Sequence, residues 1–202
     1  IAVNQFITYN QRSAALAPLS DGRFVVVWVS EQERRENSVD VYGRVFNANG
    51  VPSGGEFRVS TSESVCASPS IAASADGGFA VTWMEKDVVT RSNSWDVFVR
   101  SFNSSLAGGT VRRVNTAVYG DQLGPKISSM GTDYLIVWTS MGQDGSREGI
   151  YGQFVRSDAS LLYPEFRVNT TTVSQQIHPA VASDGVGQFL AVWTSFSGGP
   201  NS

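Results

Sequence analysis

A phrase of ten residues occurs four times in this chain at a constant interval. It reads DGRFVVVWVS at residues 21–30 and returns as DGGFAVTWME, GTDYLIVWTS and VGQFLAVWTS. The tryptophans of the four copies are Trp28, Trp83, Trp138 and Trp193, so each step is 55 residues. Self-similarity at a fixed period indicates a repeat architecture, in which each unit packs on its neighbours. This repeat constrains the fold more than any other feature of the sequence.

Each copy of the phrase belongs to a unit with four strand-like segments, which we name a to d in chain order. Segment a precedes the phrase, as in AALAPL from Ala14, and segment b is the phrase itself. Segment c alternates, as in DVYGRVF at residues 40–46, and segment d resembles EFRVST from Glu56. β-Branched and aromatic residues fill segment b, and Asp-Gly, Asn-Gly and Gly-Gly pairs mark turns. No helical periodicity is present, so we expect almost no helix.

Tandem four-stranded antiparallel units of this length are typical of β-propeller blades. A single blade has two apolar faces and buries neither alone, so neighbouring blades must stack on both sides. The sequence therefore predicts an all-β fold, a β-propeller built from four-stranded antiparallel blades, with Trp28 and its equivalents packed between blades. The alternative, an immunoglobulin-type sandwich, would repeat at about 100 residues.

The units place a single repeat domain over residues 1–202, with about 3.7 repeats. The predicted parts are a strand remnant at 1–6, repeat one at about 12–61, repeat two at about 67–116, repeat three at about 123–170 and a partial repeat four at about 177–202. Three arrangements stay open: a piece of a longer propeller, two copies in one ring, or an imperfectly closed four-bladed ring. Because an open ring exposes sheet edges and an apolar face, we expect another copy or another propeller fragment to complete the ring.

Composition narrows the classes of partner. The formal net charge is -3 and the 15 basic residues form no long run, which argues against a nucleic-acid surface. No apolar run approaches the roughly 20 residues of a membrane helix, so we expect no membrane insertion. Few lysines and much Ser, Thr, Asn and Gly are typical of a secreted or cell-surface protein of bacterial type.

Few side chains suit catalysis or metal binding. The chain has one histidine, His178, and one cysteine, Cys66, so the sequence offers no histidine-rich zinc site. Paired carboxylates, as in propeller glycosidases, remain an alternative, with the candidates Asp40, Asp96, Asp121 and Asp144. The loop GQDGSREG at residues 142–149 offers Asp144 and Glu148 to calcium, but the other repeats do not preserve it. We therefore predict no catalytic residue and no cofactor, with calcium as a possibility.

A ligand is expected on the face formed by the b-to-c and d-to-a loops, where the repeats diverge most. Loops on a rigid scaffold carry function, and aromatic side chains beside Asn, Asp, Gln and Arg suit sugar rings and their hydroxyls. Trp95 is the strongest candidate because it falls outside the 55-residue spacing. The predicted ligand-binding residues are Tyr9, Arg34, Arg91, Trp95, Tyr119, Asp121, Gln122, Asp144 and His178.

The repeat text resembles a known group of sequences over essentially the whole chain. The stretches HPAVASDGVGQFLAVWTS (178–195), GQDGSREGIYGQFV (142–155) and EFRVNT (165–170) are similar to the tandem repeats of large secreted bacterial cell-surface and calcium-repeat proteins. Those repeats run as PAVAxxxDGxFxVVW, DGxxxDIYGQRF and GxEFRVNT. The resemblance implies a propeller-type fold, and it implies little about function because the matching positions are strand and turn residues.

The leading expectation for function is a non-enzymatic binding or adhesion module of a secreted or surface protein. Such a lectin-like module would recognise a glycan or a protein partner through the loops of one propeller face. Two alternatives stay open: a propeller enzyme or accessory domain acting on polysaccharides, and a structural assembly repeat.

Overall fold

The computed structural model describes residues 1–33, 38–86 and 94–196, and within these ranges the chain forms fourteen strands and no helix. The first sheet contains β1 (Gln11–Pro18), β2 (Phe24–Ser30), β3 (Asp40–Phe46) and β4 (Phe57–Arg58). The second contains β5 (Val65–Ala73), β6 (Phe79–Lys86), β7 (Trp95–Phe102) and β8 (Arg112–Arg113). The third contains β9 (Gln122–Met130), β10 (Asp133–Met141), β11 (Glu148–Val155) and β12 (Leu161–Arg167), and β13 (Gln176–Ser183) pairs with β14 (Phe189–Ser195). The predicted all-β architecture of four-stranded sheets is confirmed.

Every sheet is an antiparallel meander in chain order. The first strands of successive sheets, β1, β5, β9 and β13, contact one another in that order. Segment a of each repeat is therefore the innermost strand, and segments b, c and d follow outward. No helix in the described ranges is long and apolar enough to cross a membrane.

The repeated tryptophans lie between sheets, as predicted. Trp83 packs in one buried cluster with Val25 and Val27 of the first sheet, and Trp138 packs with Ala80 and Val97 of the second. Because Trp83, Trp138 and Trp193 each pack on the preceding sheet, the 55-residue spacing sets the distance between sheets along the chain.

The buried indole N–H groups find partners in a second repeated position. Trp28 Nε1 donates to Gln11 Oε1 at 2.9 Å, and Trp138 Nε1 donates to Gln122 Oε1 at 2.9 Å. In the second sheet Cys66 replaces the glutamine, and Trp83 Nε1 donates instead to Glu85 Oε2 at 3.0 Å. Burial, and then the charge of Glu85, raise the pKa of the Cys66 thiol well above its usual value. Cys66 is thus a buried packing thiol.

Each innermost strand carries a β-bulge near its start. The residues with left-handed backbone there are Ser13 (φ 55°), Ser68 (φ 51°), Gly124 (φ 59°) and His178 (φ 55°). A positive φ is unfavourable for a side chain with a Cβ atom, and bulges often re-aim side chains beside functional sites. The bulge lies at the same end of every innermost strand, the end at which the d-to-a loop enters the sheet.

One face of the β13–β14 pair is uncovered. Leu190 and Val192 are 67% and 53% exposed, whereas their equivalents in the third sheet, Leu135 and Val137, are 5% and 0% exposed. In the third sheet that face is covered by the β13–β14 pair, through Val181 and Trp193 among others. The uncovered face thus has the composition of a sheet-to-sheet contact.

Residues 1–6 lie against the first sheet as the outer end of a preceding sheet would. Arg44 donates to the carbonyl of Val3 at 3.1 Å, as Arg100 of the second sheet donates to the carbonyl of Val59 at 3.0 Å. The predicted strand remnant therefore follows the packing of the repeat, although it forms no strand of its own.

Candidate functional site

A cavity of about 560 Å³ lies among the innermost strands at their bulged end, and we call it the inner cavity. Its size is within the range of ligand pockets, and an apolar lining with a few polar groups is typical of them. Three of the four bulge residues reach it. Its lining consists of Ser68, Leu123, Gly124, Lys126, Thr139, Glu148, Ile177, His178 and Pro179.

Lys126 of the inner cavity departs from the repeat. It pairs with the residue before the repeated tryptophan, and this register is the same in all four sheets. The other innermost strands have small side chains at this position: Ala15, Ser70 and Ala180. His178, also in the lining, takes a bulge position that is serine or glycine elsewhere. Lys126 and His178, which both depart from the repeat, thus lie in the lining of the same cavity.

Glu148 is the acidic residue of this lining. It begins β11 and pairs with Met141, and its Oε2 atom is buried without a hydrogen-bond partner in the part of the chain that the structure describes. A buried carboxylate oxygen without a partner is costly, because the desolvation of the charge is not offset. The Glu148 side chain thus combines a place in the cavity wall with a carboxylate oxygen that no described residue satisfies.

Glu148 also lines a second cavity of about 500 Å³, the outer cleft. The outer cleft lies between d-to-a and b-to-c loops and contains the predicted residue Tyr119, whose side chain is almost fully exposed. Arg147 and Gln175 add polar groups to its wall. The Glu148 side chain is therefore shared by two cavities on the face where the sequence predicts a ligand.

Asp144, predicted as a ligand residue, packs within its own loop. Its Oδ1 accepts a hydrogen bond from the Ser146 amide at 3.1 Å, and its Oδ2 is buried without a described partner. A Cβ atom on Gly149 would lie 2.8 Å from that Oδ2. Gly149 takes the place of Asp40 and Asp96 in the other sheets, so the Asp144 carboxylate fills the space that their side chains occupy.

Those two repeated aspartates are structural. Asp40 is fully buried and forms an ion pair with Arg58 at 2.6 Å, and Asp96 accepts a hydrogen bond from Asn115 at 2.6 Å. As for calcium, no group of three or more His, Cys, Asp or Glu side chains among the described residues is placed to share a metal ion.

Trp95 and Asp121 join the second sheet to the third. The Trp95 amide donates to Asp121 Oδ1 at 3.0 Å, and the Lys86 ammonium lies 5.9 Å from the centre of the Trp95 ring. Both residues line neither cavity. Trp95 is nevertheless informative, because its register makes it the equivalent of Glu148 one sheet earlier.

The packing role of Gln122 excludes the ligand contact that the sequence predicts for it. Its side chain is fully buried and accepts the Trp138 indole hydrogen bond, so no surface is left for a ligand. Tyr9 is exposed on the d-to-a side of the first sheet, outside both cavities. Arg34 and Arg91 lie outside the described residues. The structure thus brings His178 into the inner cavity and Tyr119 into the outer cleft.

Lys126 and Ser68 were not among the predicted ligand residues, and Glu148 entered only as a calcium ligand. The signal for Lys126 is visible in the sequence, since a lysine interrupts a column of small residues. Glu148 is harder to find, because the loops before it differ in length and hide its equivalence to Trp95.

Comparisons with known proteins show similarity in structure alone. No protein-family model matches the chain, and no curated protein is significantly similar in sequence. The Hadza microbial sialidase Hz136 matches at 9% identity over 91% of this chain and 42% of its own, with a TM-score of 0.65. Penicillium chrysogenum alpha-L-arabinanase complexed with arabinobiose matches at 14% identity over 89% of this chain and 58% of its own, with a TM-score of 0.59. The endo-arabinase of Bacteroides thetaiotaomicron matches at 14% identity over 90% of this chain and 68% of its own, with a TM-score of 0.53.

These matches correct one expectation and confirm another. The matched structures carry the names of glycan-degrading enzymes, which contradicts the expectation of a non-enzymatic, lectin-like adhesion module and favours the alternative of a propeller acting on polysaccharides. The chain spans 42% to 68% of the lengths of these three structures. At such low identity the likeness shows the fold alone, and that fold is the predicted β-propeller.

Proposed function

We propose that the chain is a propeller domain of an enzyme that acts on polysaccharides, with the glycan held at the inner cavity and the outer cleft. The observation that carries this proposal is the position of Glu148, an acidic side chain in a wall shared by both cavities. The fold shared with sialidase and arabinanase structures supports it, as does the loop-face position of the site.

Glu148 takes the role of proton donor in this proposal. In the proposed hydrolysis the Glu148 carboxylic acid gives its proton to the leaving oxygen as the glycosidic C–O bond breaks, a water molecule adds to the anomeric carbon, and the proton released by that water restores the acid. Asp121 is held by the Trp95 amide and Asp144 fills the space beside Gly149. Glu148 is thus the carboxylate among these three that lines the cavities.

The outer cleft would bind the neighbouring sugars of the chain. The exposed ring of Tyr119 offers an apolar face for a sugar ring, and Arg147 and Gln175 offer donors for hydroxyl groups. We also propose that the protein is secreted or attached to the cell surface. The likeness of its repeats to those of secreted bacterial proteins is consistent with this location.

The test is an assay of the purified chain against soluble polysaccharides, including arabinan, pectic polymers and sialylated glycans. Affinity electrophoresis measures retention, and chromatography with a reducing-end assay measures cleavage. We expect cleavage of at least one glycan class, with retention of the same class. Retention without cleavage, or neither, contradicts the proposal.

We further propose that the uncovered face of the β13–β14 pair packs against another sheet of the same kind. Its exposed residues Leu190 and Val192 match positions that are buried between sheets elsewhere. A second copy of the chain presents the same uncovered face, whereas the Trp28 face of the first sheet is already buried, with Trp28 3% exposed and Val3 packed on it.

Light scattering after size-exclusion chromatography measures the resulting assembly. We expect a mass of at least twice 21.7 kDa, and we expect Leu190→Asp with Val192→Asp to lower it towards the monomer, because two charges would be buried in the contact. Val186→Asp, on an exposed turn, is the matched control. A wild-type chain that runs as a stable monomer contradicts this part of the proposal.

A further inference from the structure

We propose that the inner cavity selects glycans that carry an acidic group, a carboxylate or a sulfate, and that Lys126 and His178 bind this group. The inference rests on the proposed function and adds the substrate class. It comes from the charges of the cavity and from the two places where the repeat is broken inside it.

Lys126 provides the charge. It is exposed, lies in the cavity lining, and forms no ion pair with any residue in the ranges the structure describes. The equivalent positions of the other sheets are small and uncharged, so packing does not require a lysine here. An ammonium group in a partly enclosed cavity gains most from an anionic partner, because charge-assisted hydrogen bonds are the strong ones.

His178 provides a second donor beside it. The side chain is exposed and lines the same cavity, and no hydrogen bond joins its ring to another described residue. Its left-handed φ of 55° is shared with Ser13, Ser68 and Gly124. Left-handed backbone at a non-glycine residue is kept where the surrounding structure enforces it, so the bulge fixes the direction in which the His178 side chain leaves the strand.

Glu148 sets the charge balance of the cavity. It lies within no ion-pair distance of Lys126, so the two charges do not neutralise each other directly. The proposed reaction starts from Glu148 in its protonated, neutral form. In that form the cavity lining has a net positive charge, which comes from Lys126. An acidic sugar is then attracted in the state that is ready to react.

Apolar residues complete the fit to a sugar acid. Leu123, Ile177 and Pro179 line the cavity beside the charged groups, and such surfaces pack on the C–H face of a sugar ring. A free inorganic anion would use the lysine and the histidine and leave these surfaces unused. The geometry therefore favours an acidic group attached to a sugar ring over the anion alone.

The test compares matched ligands by isothermal titration calorimetry on the full chain. Oligogalacturonate is paired with its methyl ester, a sulfated oligosaccharide with its desulfated form, and inorganic sulfate is measured alone. We expect the acidic member of at least one pair to bind at least about tenfold more tightly than its neutral form, and inorganic sulfate to bind much more weakly than either acidic ligand.

Three variants assign the effect to the cavity. We expect Lys126→Gln to remove the preference for the acidic member with little change for the neutral member, and Lys126→Arg to retain most of it. The matched control is Lys86→Gln, at the only other lysine of the chain, which lies over Trp95. Because Lys126 is exposed, its variants should keep the wild-type melting temperature, and that measurement accompanies the titrations.

The outcomes separate this inference from the proposed function. Equal affinity for both members of each pair, or an equal loss in Lys86→Gln, overturns the acidic-group inference, and cleavage of a neutral glycan would still support the polysaccharide-acting function. Binding of inorganic sulfate as tight as that of the acidic glycans shows an anion site without sugar selectivity, which also overturns the inference. Failure of all glycans in titration and in the cleavage assay contradicts both.

Discussion

Trp138→Ala should lower the free energy of unfolding by about 3–5 kcal/mol, the usual cost of removing a large aromatic side chain from a core. Trp138 is fully buried, and it packs in one cluster with residues of the second sheet such as Ala80 and Val97. The variant also removes the donor to Gln122, which leaves a buried amide oxygen without its partner and adds to the loss.

Urea unfolding followed by far-ultraviolet circular dichroism measures this loss. The matched control is Trp95→Ala, a tryptophan that lies outside the repeated position and is only half-buried, for which we expect roughly 1 kcal/mol or less. Equal losses in the two variants would contradict the packing role of the repeated tryptophans. A smaller loss in Trp138→Phe than in Trp138→Ala would attribute the effect to core volume.

The fold can be predicted from the sequence because the residues that pack between sheets recur at a fixed spacing. Each sheet after the first places its tryptophan on the preceding sheet, so the 55-residue spacing of Trp83 and Trp138 corresponds to a packing distance along the chain. Turn pairs such as Asp-Gly separate the strands and fix their order. The uncovered face at Leu190 follows from the same logic, since a propeller sheet buries neither face without a neighbour.

The site is harder to predict from the sequence, because a polar residue of a repeat either forms a hydrogen bond within the fold or contacts a ligand. Gln122 and Asp121 look like ligand residues, yet one accepts a buried indole hydrogen bond and the other accepts the Trp95 amide. Glutamine recurs at the equivalent positions Gln11, Gln122 and Gln176, which indicates the packing role. In the second sheet Cys66 takes this position, and Glu85 accepts the indole hydrogen bond instead. Chemistry of this kind depends on which atoms meet, and residue type alone does not determine it.

Backbone geometry is the other part that the sequence does not show. Ser13, Ser68 and His178 adopt left-handed φ values that their residue types disfavour, and only Gly124 among the four bulge residues signals such a backbone. Without the bulge, the single histidine has no visible relation to Glu148. The equivalence of Glu148 and Trp95 likewise follows only from the register of β11 and β7.

Glu148→Gln should abolish cleavage of the substrate identified in the glycan panel, with a loss of at least about 100-fold in kcat. Glutamine keeps the size of the side chain and its place in the wall of both cavities, but its amide does not donate a proton to a leaving oxygen. Because the contacts of Tyr119 and Arg147 in the outer cleft are unchanged, glycan binding should persist. A loss in kcat with KM nearly unchanged is therefore the expected pattern.

Glu63→Gln is the matched control, since Glu63 is exposed in a d-to-a loop and lines neither cavity. It should retain the activity and the melting temperature of the wild-type chain. If Glu148→Gln cleaves as fast as the control, Glu148 is not the proton donor. If it loses binding and cleavage together, Glu148 positions the glycan and the proton comes from another group. Only a selective loss of turnover places the proton on the carboxylate that the two cavities share.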